Sequence, residues 1–526
     1  MPRFGGALLA ACFLLGIGAA KAATHGGTFI FGASADVIFL DPVFEQQNPD
    51  IWFAMNVYDT LLQPSNDGKS VGPGLASEYN MSPDGMTLTL TLRPGVKFAD
   101  GSLLTPEDVL FSLRRAQNKD YSSFTALIES IGAIEIAGPD KVILHLKHPD
   151  PAIFQALATF NTGILPEKLL NAAPGNTPRE KARAFAEKPL GTGPFMVTKW
   201  TPGTELDMVR NPYYWQHDAA GQPLPYLDRI RIVIIPDDAT RILKLKAGEI
   251  GAAEFVPYSR IAEIRADPNL KMILSPAAQI FFIAMNNRPT LWDGTPNPLS
   301  DKRVRQALNY AVNKKAIVQV MTYGAGKPQV SPISTPTPLA EQTTQVPYPY
   351  DPAKAKDLLK EAGFPNGFDV GIYTVAGNSD QAAEAAAIQQ MWKQIGVRLK
   401  IQQMDSATRI AKFHANQYQM RTALWTADIN DPSEAIEFLT YGPMVHSNYS
   451  GFDDPELDAA FIKSQAEMDV EKRRALVKRI QDIYVENAPM VFLVEAPYPV
   501  AVNKKVDGFV QSPLGNDFFA GVHLEK

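Results

Sequence analysis

The chain has 526 residues, of which 45% are hydrophobic and 20% are charged, a composition typical of a globular protein. A single hydrophobic core stops growing at roughly 250–300 residues, so we expect at least two lobes. The formal net charge is −6 and no block of basic residues occurs. The sequence therefore lacks the basic stripe that a nucleic-acid-binding protein would need.

The first 22 residues have the features of a secretory signal peptide. Arg3 is followed by an apolar run over residues 4–20, and Ala20-Lys21-Ala22 fits the small-x-small cleavage rule. The run is shorter than the ~20 apolar residues that a membrane-spanning helix requires. We therefore expect residues 1–22 to be removed on export and the mature protein to be periplasmic.

Cys12 is the only cysteine, and it follows Leu9-Ala10-Ala11 as in a lipoprotein signal. A lipid anchor at Cys12 is the alternative to simple cleavage. The apolar run continues for several residues beyond Cys12, whereas a lipid-modified cysteine should end it, so we favour cleavage. Without Cys12 the mature chain has neither a thiol nucleophile nor a cysteine ligand for a metal, and it depends on its hydrophobic cores for stability.

Strand and helix patterns alternate along the chain. Thr87–Leu92 alternates threonine and leucine, which predicts a half-buried strand. Thr105-Pro106-Glu107-Asp108 predicts a helix start, with threonine as the N-cap and proline in the first position. Further strands are predicted at residues 142–146, 230–235 and 397–401, and apolar stripes at helical spacing predict helices at residues 304–312, 388–395 and 476–484. Such a mixture predicts an α/β fold whose ligand site lies between lobes.

The proline-rich stretch from residue 328 to residue 352 predicts a long surface connection. Two interpretations of it remain open. It either wraps around one lobe or forms part of the rim of the binding cleft.

No catalytic or cofactor motif is evident. The seven histidines include no His-x-x-x-His pair, and Gly-x-Ser-x-Gly is absent. Gly191-Thr192-Gly193-Pro194 lacks the lysine of a phosphate loop and predicts a tight turn before a strand. We therefore assign no catalytic residue, metal ligand or cofactor, and we favour a binding protein over an enzyme.

Several motifs occur in an order that is similar to the extracellular solute-binding proteins of family 5, the dipeptide- and oligopeptide-binding receptors of ABC importers. The segments that carry the resemblance are Tyr58-Asp59-Thr60-Leu61-Leu62, Leu92-Arg93-Pro94-Gly95-Val96-Lys97-Phe98, Gly191-Thr192-Gly193-Pro194-Phe195, Arg210-Asn211-Pro212-Tyr213-Tyr214-Trp215, Asp301-Lys302-Arg303-Val304-Arg305 and Tyr350-Asp351-Pro352-Ala353. Ser447-Asn448-Tyr449-Ser450 and Pro513-Leu514-Gly515 close the series, so the resemblance extends over essentially the whole mature chain.

The resemblance implies a two-lobed periplasmic binding protein fold. Residues 23–285 would form lobe one, including an extra domain inserted at about residues 59–190. Residues 286–496 would form lobe two, and a tail over residues 497–526 would return to lobe one. The chain would cross between the lobes twice, which makes a hinge that closes around the ligand.

The resemblance also implies a ligand site around Trp425-Thr426-Ala427-Asp428. Asp428 would pair with an ammonium group of the ligand, and Trp425 would form an aromatic wall against it. The alternatives are a turn or cap role for Asp428 and a plain core role for Trp425. Asn448 and Tyr449 are further candidates to face the cleft. Asp431 precedes Pro432 and is expected to cap the following helix.

The sequence departs from the dipeptide-binding pattern at one point. Those receptors carry an arginine for the ligand carboxylate ahead of the helix that corresponds to residues 380–395, but residues 374–379 include no basic side chain. Arg421, four residues before Trp425, is the remaining candidate, although strand alternation could direct it away from the site.

The resemblance thus implies a periplasmic substrate-binding component of an ABC importer, acting as a monomer, that delivers a peptide or peptide-like amine to permease subunits with cytoplasmic ATPases. A longer peptide and an opine-like conjugate both remain open as ligands. The alternatives are a metal-chelate carrier of the nickel type in the same family, or a secreted hydrolase that uses acids near Asp428.

Overall fold

The computed structural model describes residues 23–44, 48–120, 122, 124–340, 347–443 and 450–525. The helices in this part of the chain, α1 to α15, are Asn48–Ala54, Pro106–Ala116, Ile153–Ala156, Glu167–Ala172, Pro178–Ala186, Asp238–Lys246, Ile261–Ala266, Lys302–Tyr310, Lys314–Thr322, Pro352–Glu361, Ser379–Lys393, Ser406–His414, Pro432–Leu439, Pro455–Ser464 and Val470–Asn487. The strands, β1 to β23, are Thr28–Ala33, Leu62–Pro64, Val71–Pro73, Ala76–Met81, Thr87–Leu92, Ile131–Ile136, Lys141–Leu146, Phe195–Thr201, Glu205–Arg210, Arg229–Ile234, Ala252–Ala253, Leu270–Ser275, Gln279–Met285, Lys327–Pro328, Asp369–Val375, Arg398–Met404, Met420–Thr426, Met490–Glu495, Tyr498–Asn503, Val506–Asp507, Val510–Gln511, Asp517–Phe518 and His523–Leu524.

The first lobe is built on a mixed seven-stranded sheet in the order β12-β19-β11-β1-β10-β9-β8. The central strand β1 lies parallel to both β10 and β11. Phe29 and Phe31 point to one core, whereas Ile30 packs on the opposite face against residues of α6 and α7. Both faces of the sheet are therefore covered at β1, which explains why this strand is apolar from Phe29 to Ala33.

A four-stranded antiparallel sheet, in the order β4-β5-β7-β6, lies between β1 and β8 in the sequence. In β5 the leucines are buried and the threonines are partly exposed, as the alternation predicts. Leu88 and Leu90 belong to the same hydrophobic cluster as Phe29 and Phe31. This sheet falls within residues 59–190, and its description as a separate inserted domain remains a proposal.

The second lobe is built on a mixed six-stranded sheet in the order β14-β18-β13-β17-β15-β16. Along β13, Ile280 and Phe282 pack into one cluster with α13, α14 and α15. Ile283 packs into another cluster on the opposite face, with α8, α9 and α11. Trp392 of α11 is fully buried there, and its indole N–H donates to the Leu308 carbonyl at 3.0 Å.

The chain passes between the two sheets at residues 276–278 and again at residues 496–497. Gln279–Met285 pairs along its whole length with β17 in the second sheet. The chain therefore leaves the first sheet before β13, and not after it as a lobe boundary at residue 285 implies. The exact lobe boundaries remain a proposal.

Local sequence signals describe several elements well. Thr105 caps α2 in a reciprocal capping box with Asp108, and Asp431 caps α13 by accepting from the Ser433 N–H at 2.9 Å. The expected surface connection from residue 328 is wrong for its described part. Ser331 and Ile333 are buried, because Ile333 packs into the core beside α13 and α15.

No helix in the described ranges is both long and apolar enough to span a bilayer.

The turn Gly191-Thr192-Gly193-Pro194 lies directly against the backbone of Val57. A Cβ atom added to Gly191 would lie 2.1 Å from the Val57 carbonyl oxygen, and nothing described lies within 4 Å of one added to Gly72. We expect Gly191→Ala to lower the free energy of unfolding by about 1–3 kcal/mol, because overpacking forces the backbone apart. Gly72→Ala is the matched control and should stay within about 0.5 kcal/mol. Urea unfolding measures both, and equal stabilities would contradict the close packing of this turn.

Candidate ligand-binding site

A cleft of about 590 Å³ lies between the two lobes, beside the two crossings of the chain. The first lobe contributes Phe255, Tyr258 and Tyr498, and the second contributes Phe281 and Leu424. Tyr498 is the first residue of β19 after the second crossing, and Phe281 follows the first crossing. The cleft is thus formed where the strands pass from one sheet to the other, a preferred position for a ligand site between lobes.

Large apolar side chains line the cleft without being covered by protein. Leu424, Val320 and Tyr323 are 51%, 43% and 65% exposed. Tyr323 and Phe255 also have positive φ angles of 51° and 46°, which bulky residues rarely adopt. One such residue comes from each lobe, and strained backbone of this kind is concentrated at functional sites. The cleft therefore offers an apolar surface to a bound molecule.

Tyr498 connects the two lobes. Its hydroxyl forms a 2.8 Å hydrogen bond with the Thr426 hydroxyl at the end of β17. Its ring packs against Phe255 and Trp52 with centroid distances of 5.6 Å in each case. Tyr258, which also lines the cleft, donates to the Pro497 carbonyl at 2.8 Å. These contacts fix the floor of the cleft at the hinge.

Asp428 lies just beyond Thr426, next to Tyr498 and paired with Glu434 of α13. The Asp428 and Ile429 N–H groups donate to Glu434 Oε2 at 2.8 Å and 3.0 Å. Burial raises the pKa of Asp428 to about 6. Burial, and then the Asp428 charge, raise the pKa of Glu434 well above its usual range. Glu434 therefore holds a proton and donates it to Asp428, and the pair carries one negative charge.

No arginine or lysine among the described residues forms a salt bridge with Asp428 or Glu434. The nearby Asp431 differs. It accepts two hydrogen bonds from Arg473 at 2.6 Å and 2.7 Å, and both side chains are buried. Asp431 is thus compensated within the protein, whereas Asp428 has no such partner among the described cations.

Trp425 and Arg421 lie on the same side of β17, because four residues separate them and strand side chains alternate. The Trp425 ring is 5.3 Å from Phe438, and its Nε1 atom is buried without a described hydrogen-bond partner. The Arg421 guanidinium lies 3.8 Å from the centroid of the Phe413 ring, and burial lowers its pKa to about 10. Neither residue lines the cleft beside Tyr498, and Asp428 is not among the lining residues either. Asn448 and Tyr449 lie outside the described residues.

Several residues that form the cleft and its surroundings were not predicted from the sequence. Glu434, Tyr498 and Tyr258 come together only through tertiary packing, and no local motif singles them out. Asp380 and Glu384 also line the cleft, in the helix α11. The sequence contains one indication of Asp380 and Glu384. Their helix follows residues 374–379, where the dipeptide-binding receptors carry an arginine and this chain has no basic residue.

The described residues contain no group of three or more His, Asp or Glu side chains placed to hold a metal ion. The cleft is lined by carboxyl groups, aromatic rings and apolar side chains.

Two mixed α/β lobes, two neighbouring crossings and a cleft between them define a two-lobed periplasmic binding protein fold. The model of the bacterial extracellular solute-binding proteins, family 5 Middle, matches residues 70–444. The chain belongs to this family, which confirms the resemblance seen in the sequence.

Relatives and solved structures extend over nearly the whole chain. The glutathione-binding protein GsiB of Salmonella typhimurium is 30% identical over 479 residues, 89% of each chain. The heme-binding protein A of Haemophilus influenzae is 28% identical over 90% of this chain and 87% of its own. The structure of DppA from Helicobacter pylori in complex with the peptide STSA has 26% identity and a TM-score of 0.79, covering 96% of this chain and 99% of that one.

The Arg473–Asp431 pair holds α15 against the start of α13, three residues from Asp428. We expect Arg473→Met to destabilise the protein by about 3–5 kcal/mol, because it leaves a buried carboxylate uncompensated. The control is Lys478→Met, which removes an exposed i,i+4 pair with Asp482 and should cost at most about 0.5 kcal/mol. Urea unfolding distinguishes the two, and a similar small loss for both would show that Asp431 does not depend on Arg473.

Proposed function

We propose that this protein is the periplasmic substrate-binding component of an ABC importer and that it binds a peptide or peptide-like solute through an ammonium group. The observation that carries the proposal is the close pair of Asp428, which is half-buried, and Glu434, which is buried, with no salt bridge to a described cation. Membership of the family supports the transport role. Glutathione and the peptide STSA, named for two of the related proteins, both carry an ammonium group, which supports the ligand class.

In this proposal Asp428 pairs with the ammonium group, and Glu434 holds Asp428 in place while keeping its own proton. Trp425 packs against the ligand at the edge of β17. Asn448 and Tyr449 are proposed to contribute from the segment beyond α13. Arg421 is proposed to meet a ligand carboxylate only if the ligand is long enough to extend along β17 away from the hinge, because its guanidinium stacks on Phe413.

Binding shifts the protein to the closed form only if the ligand, in contact with both lobes, binds that form more tightly than the open form. Tyr498 and Phe255 line the cleft from the first lobe and Leu424 lines it from the second, whereas Asp428 lies next to Tyr498, outside the described lining. A ligand that bridges these groups stabilises the closed form. The permease subunits, with their cytoplasmic ATPases, would then accept the solute from the closed, monomeric protein. Residues 1–22 are proposed to direct the export.

The identity of the solute is tested by native mass spectrometry of the protein isolated from cells without refolding. We expect an intact peptide or other amine of a few hundred daltons. A metal chelate, a heme or cleaved fragments of a larger substrate would each overturn the proposal, in favour of a metal-chelate carrier, a heme carrier or a hydrolase.

We expect Asp428→Asn to weaken binding of the co-purified solute by about 30-fold or more, because the ammonium group would enter a dry site without a partner. Asp357→Asn, at an exposed position in α10, is the matched control and should leave affinity unchanged. Isothermal titration calorimetry measures both variants. Normal binding by Asp428→Asn would rule out the proposed anchor.

Affinity should also depend on pH through Asp428. The pKa of the free carboxyl is about 6, and ammonium binding needs its ionised form, so affinity approaches its full value at about one pH unit above the pKa. It should fall by about tenfold for each pH unit below the pKa. The groups facing Asp428 are Glu434, which stays protonated, and Tyr498, whose pKa burial raises well above this range. Titration calorimetry from pH 7.5 to pH 5 should show the decrease in the natural protein and a flat profile in Asp428→Asn.

A further inference from the structure

A second group of acids lines the cleft on the side of helix α11. Asp380 and Glu384 are four residues apart, so they lie on the same face of the helix, and both border the cleft. Asp238, at the start of α6 in the first lobe, borders the cleft as well. Its charge raises the pKa of Asp380, after the larger effect of burial. The two lobes therefore present acids to each other across the cleft.

Glu384 is the clearest sign of a ligand site here. Its side chain is 2% exposed, and its Oε1 atom is buried without a hydrogen-bond partner in the described part of the chain. A buried polar atom without a partner costs free energy, and native proteins rarely leave one without a reason. Asp380 lies in the first turn of α11, where it also balances the helix dipole. Glu384 lies beyond that turn, so the dipole does not account for it.

The protein's own cation at this cleft is already engaged. Arg241 is 1% exposed and donates to the carbonyl oxygens of Glu254, Ile235, Pro236 and Phe255 at 2.6–3.3 Å, and to the Asp238 carboxylate at 2.6 Å. It does not reach across to neutralise the acids of α11 by any described salt bridge. Of the described charged residues that line the cleft, three are acids and one is this arginine.

The surroundings of the two α11 acids suit an aliphatic stem that ends in a cation. Val320, Tyr323 and Leu424 supply exposed apolar surface in the same cleft. Tyr258 lies close enough to Asp380 for that carboxylate to contribute to raising the pKa of its hydroxyl, after burial. Aromatic rings next to carboxyl groups stabilise ammonium and guanidinium groups, and long basic side chains bury their methylene stems against apolar surface.

We propose that Asp380 and Glu384 form a subsite for a second positive charge, so that the solute carries a basic side chain in addition to the ammonium group bound by Asp428. The proposal rests on the function proposed above and specifies its substrate class. It also explains the absence of a basic residue from residues 374–379. An acidic wall next to that stretch repels a ligand carboxylate and attracts a lysine-like or arginine-like group.

The test compares tripeptides that differ in one side chain. Calorimetry with Ala-Lys-Ala, Ala-Arg-Ala, Ala-norleucine-Ala and Ala-Glu-Ala, together with the same set carrying the substitution at the third position, separates charge from chain length. We expect the basic peptides to bind at least about tenfold more tightly than their norleucine counterparts, and the glutamate peptides to bind most weakly.

Glu384→Gln and Asp380→Asn should each reduce the ratio of the affinity for the lysine peptides to the affinity for the norleucine peptides. Asp380 is exposed, so Asp380→Asn remains informative if Glu384→Gln does not fold. Asp357→Asn is the matched control and should retain the full preference. A lysine-to-norleucine ratio near one in the natural protein, or an unchanged ratio in both α11 variants, would overturn the subsite.

Cadaverine, a diamine without a peptide bond, distinguishes the subsite from the broader proposal. If no peptide binds but cadaverine binds and Glu384→Gln abolishes its binding, the peptide ligand is wrong and the cationic subsite stands. If neither the peptides nor cadaverine bind, the subsite is overturned. If peptides bind with no preference for a basic side chain, the proposed function is retained and the proposed subsite is overturned.

Discussion

The two crossings between the lobes belong to one interrupted ribbon of antiparallel strands, and the position of every cleft residue depends on it. In the first sheet β12 pairs with β19 as far as Ser275 and Tyr498. In the second sheet β13 pairs with β18 from Ile280 and Glu495. Both strands of the ribbon are thus shared between the lobes, and the ladder is broken only at the segments that join them.

Proline marks the break in each strand. Pro276 and Pro497 lack the N–H group that a continuous ladder would use, and proline also restricts the residue before it. Two of the remaining polar groups have partners nearby, since the Ala278 N–H donates to the Pro513 carbonyl at 2.7 Å and Tyr258 donates to the Pro497 carbonyl. A hinge of this kind limits the rotation to a few backbone angles while the sheets on either side stay rigid.

Much of the local structure could be predicted from the sequence. The alternation of Thr87–Leu92, the cap at Thr105 and the cap at Asp431 are encoded within a few residues, and the structure confirms them. The point at which the chain enters the second sheet could not be predicted from local sequence. The apolar strand Gln279–Met285 has a pattern suited to either sheet, so only its pairing with β17 and β18 shows where it belongs. For the same reason the pattern could place Arg421 and Trp425 on one face without indicating which side of the sheet the cleft occupies.

The candidate site shows most clearly what local patterns leave open. Asp428 and Asp431 are three residues apart, and both precede a helix, so composition and spacing favour a capping role for either. The structure separates them by what balances each charge. Asp431 has Arg473 from a helix 42 positions further along, whereas Asp428 has another carboxyl group, Glu434. A buried acid whose described neighbour is a second acid contributes little to folding, because its desolvation is not recovered within the protein. In the proposed function this cost is recovered when a ligand cation pairs with Asp428, and the proposed subsite extends the argument to Glu384, which lines the cleft. Under these two proposals, closure of the lobes depends on the charge of the bound molecule.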